Sequence, residues 1–69
     1  MPNSYTNEEL AEAEKQLASA LHKTREVLKT FSAKENPARY KSQVTLAERR
    51  IQAFEIALAL IAAERGHED

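Results

Sequence analysis

The stretch "IQAFEIALALIAAERG", from Ile51 to Gly66, decides the fold because it predicts a long helix that is apolar almost all round. Its centre, "IALALIAA" from Ile56 to Ala63, is a run of eight apolar residues. A surface helix of a small protein usually carries one apolar stripe and is polar elsewhere. This helix therefore has more apolar surface than a single packing contact would cover.

The residues upstream extend this helix toward the N-terminus. Asn36 is a good N-cap and Pro37 fits the first helical position, where its missing N–H costs nothing. Gly66 is typical of the residue just beyond a helix C-terminus. We therefore predict a second helix over residues 37–65, preceded by a turn at 34–36. Its core positions recur at alternating spacings of four and three: Tyr40, Val44, Ala47, Ile51, Phe54, Leu58 and Ile61.

A complete start signal marks the first helix. In "YTNEEL", Thr6 is the predicted N-cap and Glu9 stands three positions later, which makes a capping box. Tyr5 and Leu10 have the spacing of a hydrophobic staple. We predict a helix over residues 7–33. Its seam shows the same alternation: Leu10, Glu14, Leu17, Leu21, Thr24, Leu28 and Phe31.

Two long helices joined by a short turn predict an all-α fold, a single antiparallel two-helix hairpin over residues 1–69 with a coiled-coil-like seam. Running the two repeats against each other places Phe31 beside Tyr40 at the turn. Glu14 falls beside Leu58, and we expect its carboxylate to extend to solvent at the edge of the seam. The other predicted pairs are Leu28 with Val44, Thr24 with Ala47, Leu21 with Ile51, Leu17 with Phe54, and Leu10 with Ile61.

A second apolar line on helix two is the predicted partner-binding site. It lies to one side of the hairpin seam on a helical wheel. The corresponding flank of helix one carries only Ala13, Ala20 and Val27. We expect the fold to be completed by dimerisation or by packing on a helical partner. The candidate partner-binding residues are Leu46, Ala53, Ile56, Ala57 and Leu60.

The composition argues against catalysis and against a bound metal or cofactor. The chain has no cysteine, one glycine and two histidines, and neither His22 nor His67 has a second ligand at helical spacing. We therefore expect no enzyme activity, no metal and no cofactor. The net charge of −1 gives no general attraction to nucleic acid or to a membrane surface. With no secretory signal and no apolar run of about 20 residues, we expect a cytoplasmic protein.

Two alternatives to a dedicated partner stay open at this point. One is a purely structural homodimer, a four-helix bundle of two hairpins. The other is a small RNA-binding hairpin dimer, because basic residues surround Tyr40 near the turn. These basic residues are Lys34, Arg39, Lys41, Arg49 and Arg50.

The second half of the chain resembles a known family. "NPARYKSQVTLAERRIQAFEIALALIAAERG" is similar to the small co-chaperones of type III secretion needle subunits, the YscE-like family. Asn36, Pro37 and Tyr40 match the restart of the second helix in that family. The register of Leu46, Ala53, Ile56 and Ile61 matches its final helix. The likeness covers about residues 16–66.

The resemblance implies a function that fits the uncovered stripe. Members of the YscE-like family fold as helical hairpins in the bacterial cytoplasm and contribute to virulence. They bind a tetratricopeptide-type chaperone, and the pair keeps the needle subunit from polymerising before export. The resemblance implies no catalysis and no cofactor. It supplies no short functional motif that could be carried over to individual residues of this chain.

Overall fold

The computed structural model describes residues 4–33 and 37–66, and it is an all-α hairpin, as the sequence predicts. Helix α1 spans Asn7–Ser32 and helix α2 spans Lys41–Gly66, with 26 residues each. A short 3₁₀ turn, Pro37–Tyr40, leads into α2. The two long helices pack against each other along their length, and no strand occurs in the described ranges.

The predicted capping box at the start of α1 is confirmed. The backbone N–H of Glu9 donates to Oγ1 of Thr6 at 3.0 Å, and the backbone N–H of Thr6 donates to Oε1 of Glu9 at 2.9 Å. These two bonds satisfy donors that the first turn of a helix would otherwise leave unpaired. Tyr5 remains 59% exposed, so the predicted staple covers little of its ring, whereas Leu10 is only 7% exposed.

The start of the second helix differs from the prediction. Its first turn, Pro37–Tyr40, is a 3₁₀ helix, and α-helical winding begins only at Lys41. Helix ends commonly tighten in this way because their terminal groups lack partners four residues away. The predicted N-cap, Asn36, lies outside the described residues. At the other side of the turn, Ala33 caps α1, and its N–H donates to the carbonyl of Lys29 at 3.2 Å.

The register of the hairpin agrees with the predicted pairing at both ends. Near the turn, the rings of Phe31 and Tyr40 pack with centroids 5.1 Å apart and planes tilted by 34°. At the open end, Nε of Arg65 donates to Oδ1 of Asn7 at 3.3 Å. In between, the predicted Thr24 layer is polar but satisfied, because its hydroxyl donates to the carbonyl of Ala20 at 2.8 Å.

The hairpin has a thin core. Only Leu10, Leu21 and Ala47 are buried, at 7%, 8% and 5% exposure, and no side chain of the described ranges is fully enclosed. The shortest extent of the molecule is 14 Å, close to the diameter of one helix with its side chains, about 10–12 Å. The protein is therefore a single layer of two helices, and both sides of the seam face outward.

Two predictions at the open end are wrong. Gly66 is the last residue of α2, not the residue beyond it, and its φ is not positive. A glycine inside the last turn needs no left-handed conformation, so it does not end the helix in the predicted way. Glu14 does not simply extend to solvent: its carboxylate accepts a hydrogen bond from the guanidinium of Arg65. Glu14 remains partly exposed, at 36% for its side chain.

Candidate protein-binding face

The structure leaves most of the predicted partner-binding stripe of α2 exposed. Leu46, Ile56 and Leu60 are 47%, 53% and 66% exposed, which is high for large apolar side chains. Ala53 is also exposed, whereas Ala57 is partly buried because it lies closer to the seam. Ile56 lies at the outer edge of the stripe, one helical turn before Leu60. The stripe thus includes the exposed large apolar side chains of α2.

Helix α1 contributes to the same surface. Val27 of α1, 46% exposed, lies beside Leu46 of α2 in an open groove of about 240 Å³. Phe31 and Ala47 form the groove floor near the turn, and Lys23 and Arg50 stand at its rim. Ala20 and Ala13 precede Val27 by seven and fourteen positions, so they continue this flank along α1.

These residues lie on one side of the hairpin, which we call the open face. Along α1 it is built from small or β-branched side chains, and along α2 it carries two leucines separated by alanines. Its small side chains let another helix approach the backbone closely. The members of the open face are Ala13, Ala20, Val27, Leu46, Ala53, Ala57 and Leu60.

Ion pairs cross the opposite flank of the seam. The guanidinium of Arg25 contacts the carboxylate of Glu55, and that of Arg65 contacts Glu14. Glu55 follows Leu46 by nine positions, or two and a half turns, which places the two residues on opposite sides of α2. Within the described ranges, the hairpin therefore has one flank crossed by ion pairs and one flank lined by exposed apolar side chains.

Sequence reasoning missed the charges on the open face. The stripe of α2 is a second seven-residue repeat that includes Arg50, four positions after Leu46, and Glu64, four positions after Leu60. Both charged residues are exposed. The four-three spacing could have located them. The complete repeat is Leu46, Arg50, Ala53, Ala57, Leu60 and Glu64.

The charges of the open face are segregated by sign. In the half of the face toward the turn, Lys23 and Arg50 line the groove, and Glu26 lies beside Val27 and Phe31, where it is paired with Lys29 at 3.7 Å. Toward the open end the charges are acidic: Glu64 lies on the stripe, and Glu12 lies on the α1 side, eleven positions or about three turns before Lys23. Both of these carboxylates are exposed. The groove of the open face is thus lined by two basic side chains in its turn-side half, and two carboxylates lie toward the open end.

The part of the chain that the structure describes holds no candidate metal centre. In the described ranges, no three residues among histidines and carboxylates come together as a metal-binding group. Tyr40, which the basic cluster near the turn surrounds, is half-buried against Phe31. Its ring is therefore not free to stack on a nucleic-acid base. No helix of the described ranges is long and apolar enough to cross a membrane.

Comparison with protein-family models, with curated proteins and with solved structures finds no match in any of the three. The resemblance to the YscE-like family therefore stays a prediction that rests on the residues quoted above. The open face stands on the geometry of the hairpin alone.

Proposed function

We propose that this protein is a non-enzymatic, cytoplasmic co-chaperone that docks its open face on a helical-repeat chaperone. In line with the YscE-like resemblance, the pair would hold a type III secretion needle subunit and prevent it from polymerising. The observation that supports this proposal is the exposed stripe of α2, with Leu46 at 47% and Leu60 at 66% exposure. A helical partner that packs on this two-helix layer would bury the exposed apolar side chains of the stripe.

The physical basis is helix-in-groove recognition. Tetratricopeptide repeats stack helix pairs into a concave apolar surface, which accepts an amphipathic helix through anchors on one face. Leu46 and Leu60 are fourteen positions apart, four turns or about 21 Å, so they would occupy two separate pockets. Ala53 and Ala57 lie between them and allow close approach of the partner backbone. Docking would bury the exposed part of each leucine, about half of Leu46 and two thirds of Leu60, and would contribute roughly 1–2 kcal/mol for each.

The proposal is tested by co-expression of the full chain with a repeat-type chaperone and a needle subunit of a type III secretion system. Size-exclusion chromatography should recover a complex of all three proteins. Leu46→Asp and Leu60→Asp should abolish the complex, because each buries an unpaired carboxylate in the contact. The matched control is Ala59→Asp, which adds the same charge to α2 at an exposed position about 100° away from Leu60.

Each result has a definite reading. Loss of the complex with both leucine variants, and its survival with Ala59→Asp, would support docking through the open face. Circular dichroism of each variant should show unchanged helicity, since both leucines are exposed in the hairpin. A complex that survives Leu60→Asp and Leu46→Asp would show that another surface binds the partner. Absence of any complex with the unmodified chain would overturn the co-chaperone proposal itself.

A further inference from the structure

We propose that, in the isolated protein, a second copy of the chain covers the open face, with its turn at the opposite end of the dimer. We call this two-fold symmetric arrangement head-to-tail because the turn of each copy lies beside the open end of the other. In it, α2 packs antiparallel on α2 of the other copy, and α1 packs on α1. The product is a symmetric four-helix bundle. This inference concerns the protein without its chaperone and does not rest on the proposed function.

Charge complementarity is the first argument for this occupant. The turn-side half of the open face carries Lys23 and Arg50, which line the groove, and the other half carries Glu12 and Glu64. A copy turned end for end places the basic end of each face against the acidic end of the other. Both contacts of the symmetric dimer are then attractive.

The pattern of the stripe is the second argument. Its repeat has Ala53 and Ala57 at the centre, with Leu46 and Arg50 before them and Leu60 and Glu64 after them. A two-fold axis at the level between the two alanines sets Ala53 against Ala57 of the other copy. Antiparallel helices can approach closely at such a small-residue centre. Arg50 then lies within about one turn of Glu64 of the other copy.

The charges of α1 are also complementary in this arrangement. Lys23 and Glu12 stand on the same side of α1, about three turns apart, on either side of the level of the proposed axis. End-for-end pairing brings Lys23 of each copy toward Glu12 of the other. The small side chains of Ala13 and Ala20 leave room for the two α1 helices to meet.

The alternative dimer has the two turns at the same end, and its electrostatics are unfavourable. In that arrangement the basic ends of both faces meet, with two copies of Lys23 and of Arg50 close together. The acidic ends meet likewise. Like charges in contact across an interface disfavour the wrong arrangement strongly. The sign segregation of the open face therefore selects the head-to-tail dimer.

Sedimentation equilibrium of the full chain measures the association directly. The unmodified protein should be dimeric, and Arg50→Glu or Glu64→Arg alone should raise the dimer Kd at least about tenfold, because each places like charges in contact. The double variant with both changes exchanges the two signs and should return the Kd to within roughly threefold of the original value. Lys41→Glu is the matched control, since Lys41 is exposed near the turn but lies off the stripe.

The orientation is measured by a distance between spin labels. The chain has no cysteine, so Ala38→Cys gives one labelling site per copy, at the exposed turn. Pulsed electron paramagnetic resonance should find a separation on the order of 40 Å or more in the head-to-tail dimer. The alternative dimer would place the two labels within roughly 20 Å, because its turns lie in adjacent layers.

Three results would overturn the proposal. The first is a monomer at millimolar concentration, and the second is a dimer with a short distance between labels. The third is a dimer whose Kd does not change with either charge reversal while circular dichroism shows intact helices. None of these results bears on the chaperone complex, which is assayed separately, so failure of one proposal can be told from failure of the other.

Discussion

Arg65 and Glu14 join the last turn of α2 to the second turn of α1. The guanidinium of Arg65 donates to the Glu14 carboxylate, and its Nε donates to Oδ1 of Asn7 at 3.3 Å. One side chain thus ties the open end of the hairpin, where there is no covalent connection. Both partners of the ion pair are about one-third exposed, so water and salt weaken the pair only in part.

Removal of this tie should destabilise the hairpin. Arg65→Met keeps most of the apolar stem but removes the charge and the donors, and we expect a loss of about 0.5–1 kcal/mol in the free energy of unfolding. Urea titration followed by circular dichroism measures it. Arg25→Met is the control, because the Arg25–Glu55 pair is about half exposed and should contribute less. Equal losses for the two variants would contradict the special role of Arg65.

Ala47 should be the least tolerant alanine of α2. It is 5% exposed at the seam, so Ala47→Leu forces extra methylenes between the helices and should cost about 1–3 kcal/mol. Ala59→Leu makes the same chemical change at an exposed position twelve residues later, off the open face, and should alter the free energy of unfolding by less than about 0.5 kcal/mol. Thermal unfolding of both variants tests the pair. Similar changes in the melting temperature of the two variants would mean that the seam is not where the structure places it.

The capping box of α1 should contribute measurable stability. Thr6→Ala removes the hydroxyl that accepts from the Glu9 N–H, and we expect a loss of about 1 kcal/mol. Thr6→Ser keeps an acceptor at the same place and should lose much less. Chemical denaturation of the three proteins would show this order. A Thr6→Ala variant as stable as the original chain would mean that the first turn frays in solution.

Gly66→Ala distinguishes a helical residue from a cap. Gly66 ends α2 without a positive φ, and a Cβ at this position would meet no atom within 4 Å. Alanine should therefore stabilise the helix end by up to about 0.5–1 kcal/mol, because it restricts the unfolded chain more than glycine does. If Gly66 were instead a left-handed cap, the same substitution would destabilise the protein. A lower melting temperature for Gly66→Ala would restore the prediction made from the sequence.

The seam was predictable because it depends on spacing alone. The four-three repeats of both helices, together with the short turn, correctly place Phe31 beside Tyr40, and the Thr6 capping box follows from a local pattern. The exposure of Leu46 and Leu60 was predictable for the same reason, since they fall off the seam. A helical wheel contains all of this information.

The ion pairs were not predictable from the wheel. Side chains of a helix lean toward its N-terminus, so in an antiparallel hairpin a side chain of α1 and one of α2 lean toward each other along the axis. Ala47 lies near the level of Arg25 in the hairpin, and Arg25 therefore reaches Glu55, which is eight positions beyond Ala47 along α2. Pairing by level alone misses such contacts. The binding of a partner to the open face stays a prediction, because exposure of the stripe does not identify what covers it.

The two repeats of α2 are offset by a single residue, so a rotation of the helix by about 100° would present the second repeat to α1. Both repeats are mostly apolar, and hydrophobicity alone would discriminate poorly between the two packings. Arg50 and Glu64 belong to the second repeat, and burying either one against α1 would leave a charge without water. The same two side chains that give the open face its polarity thus also fix which side of α2 is the inside of the folded hairpin.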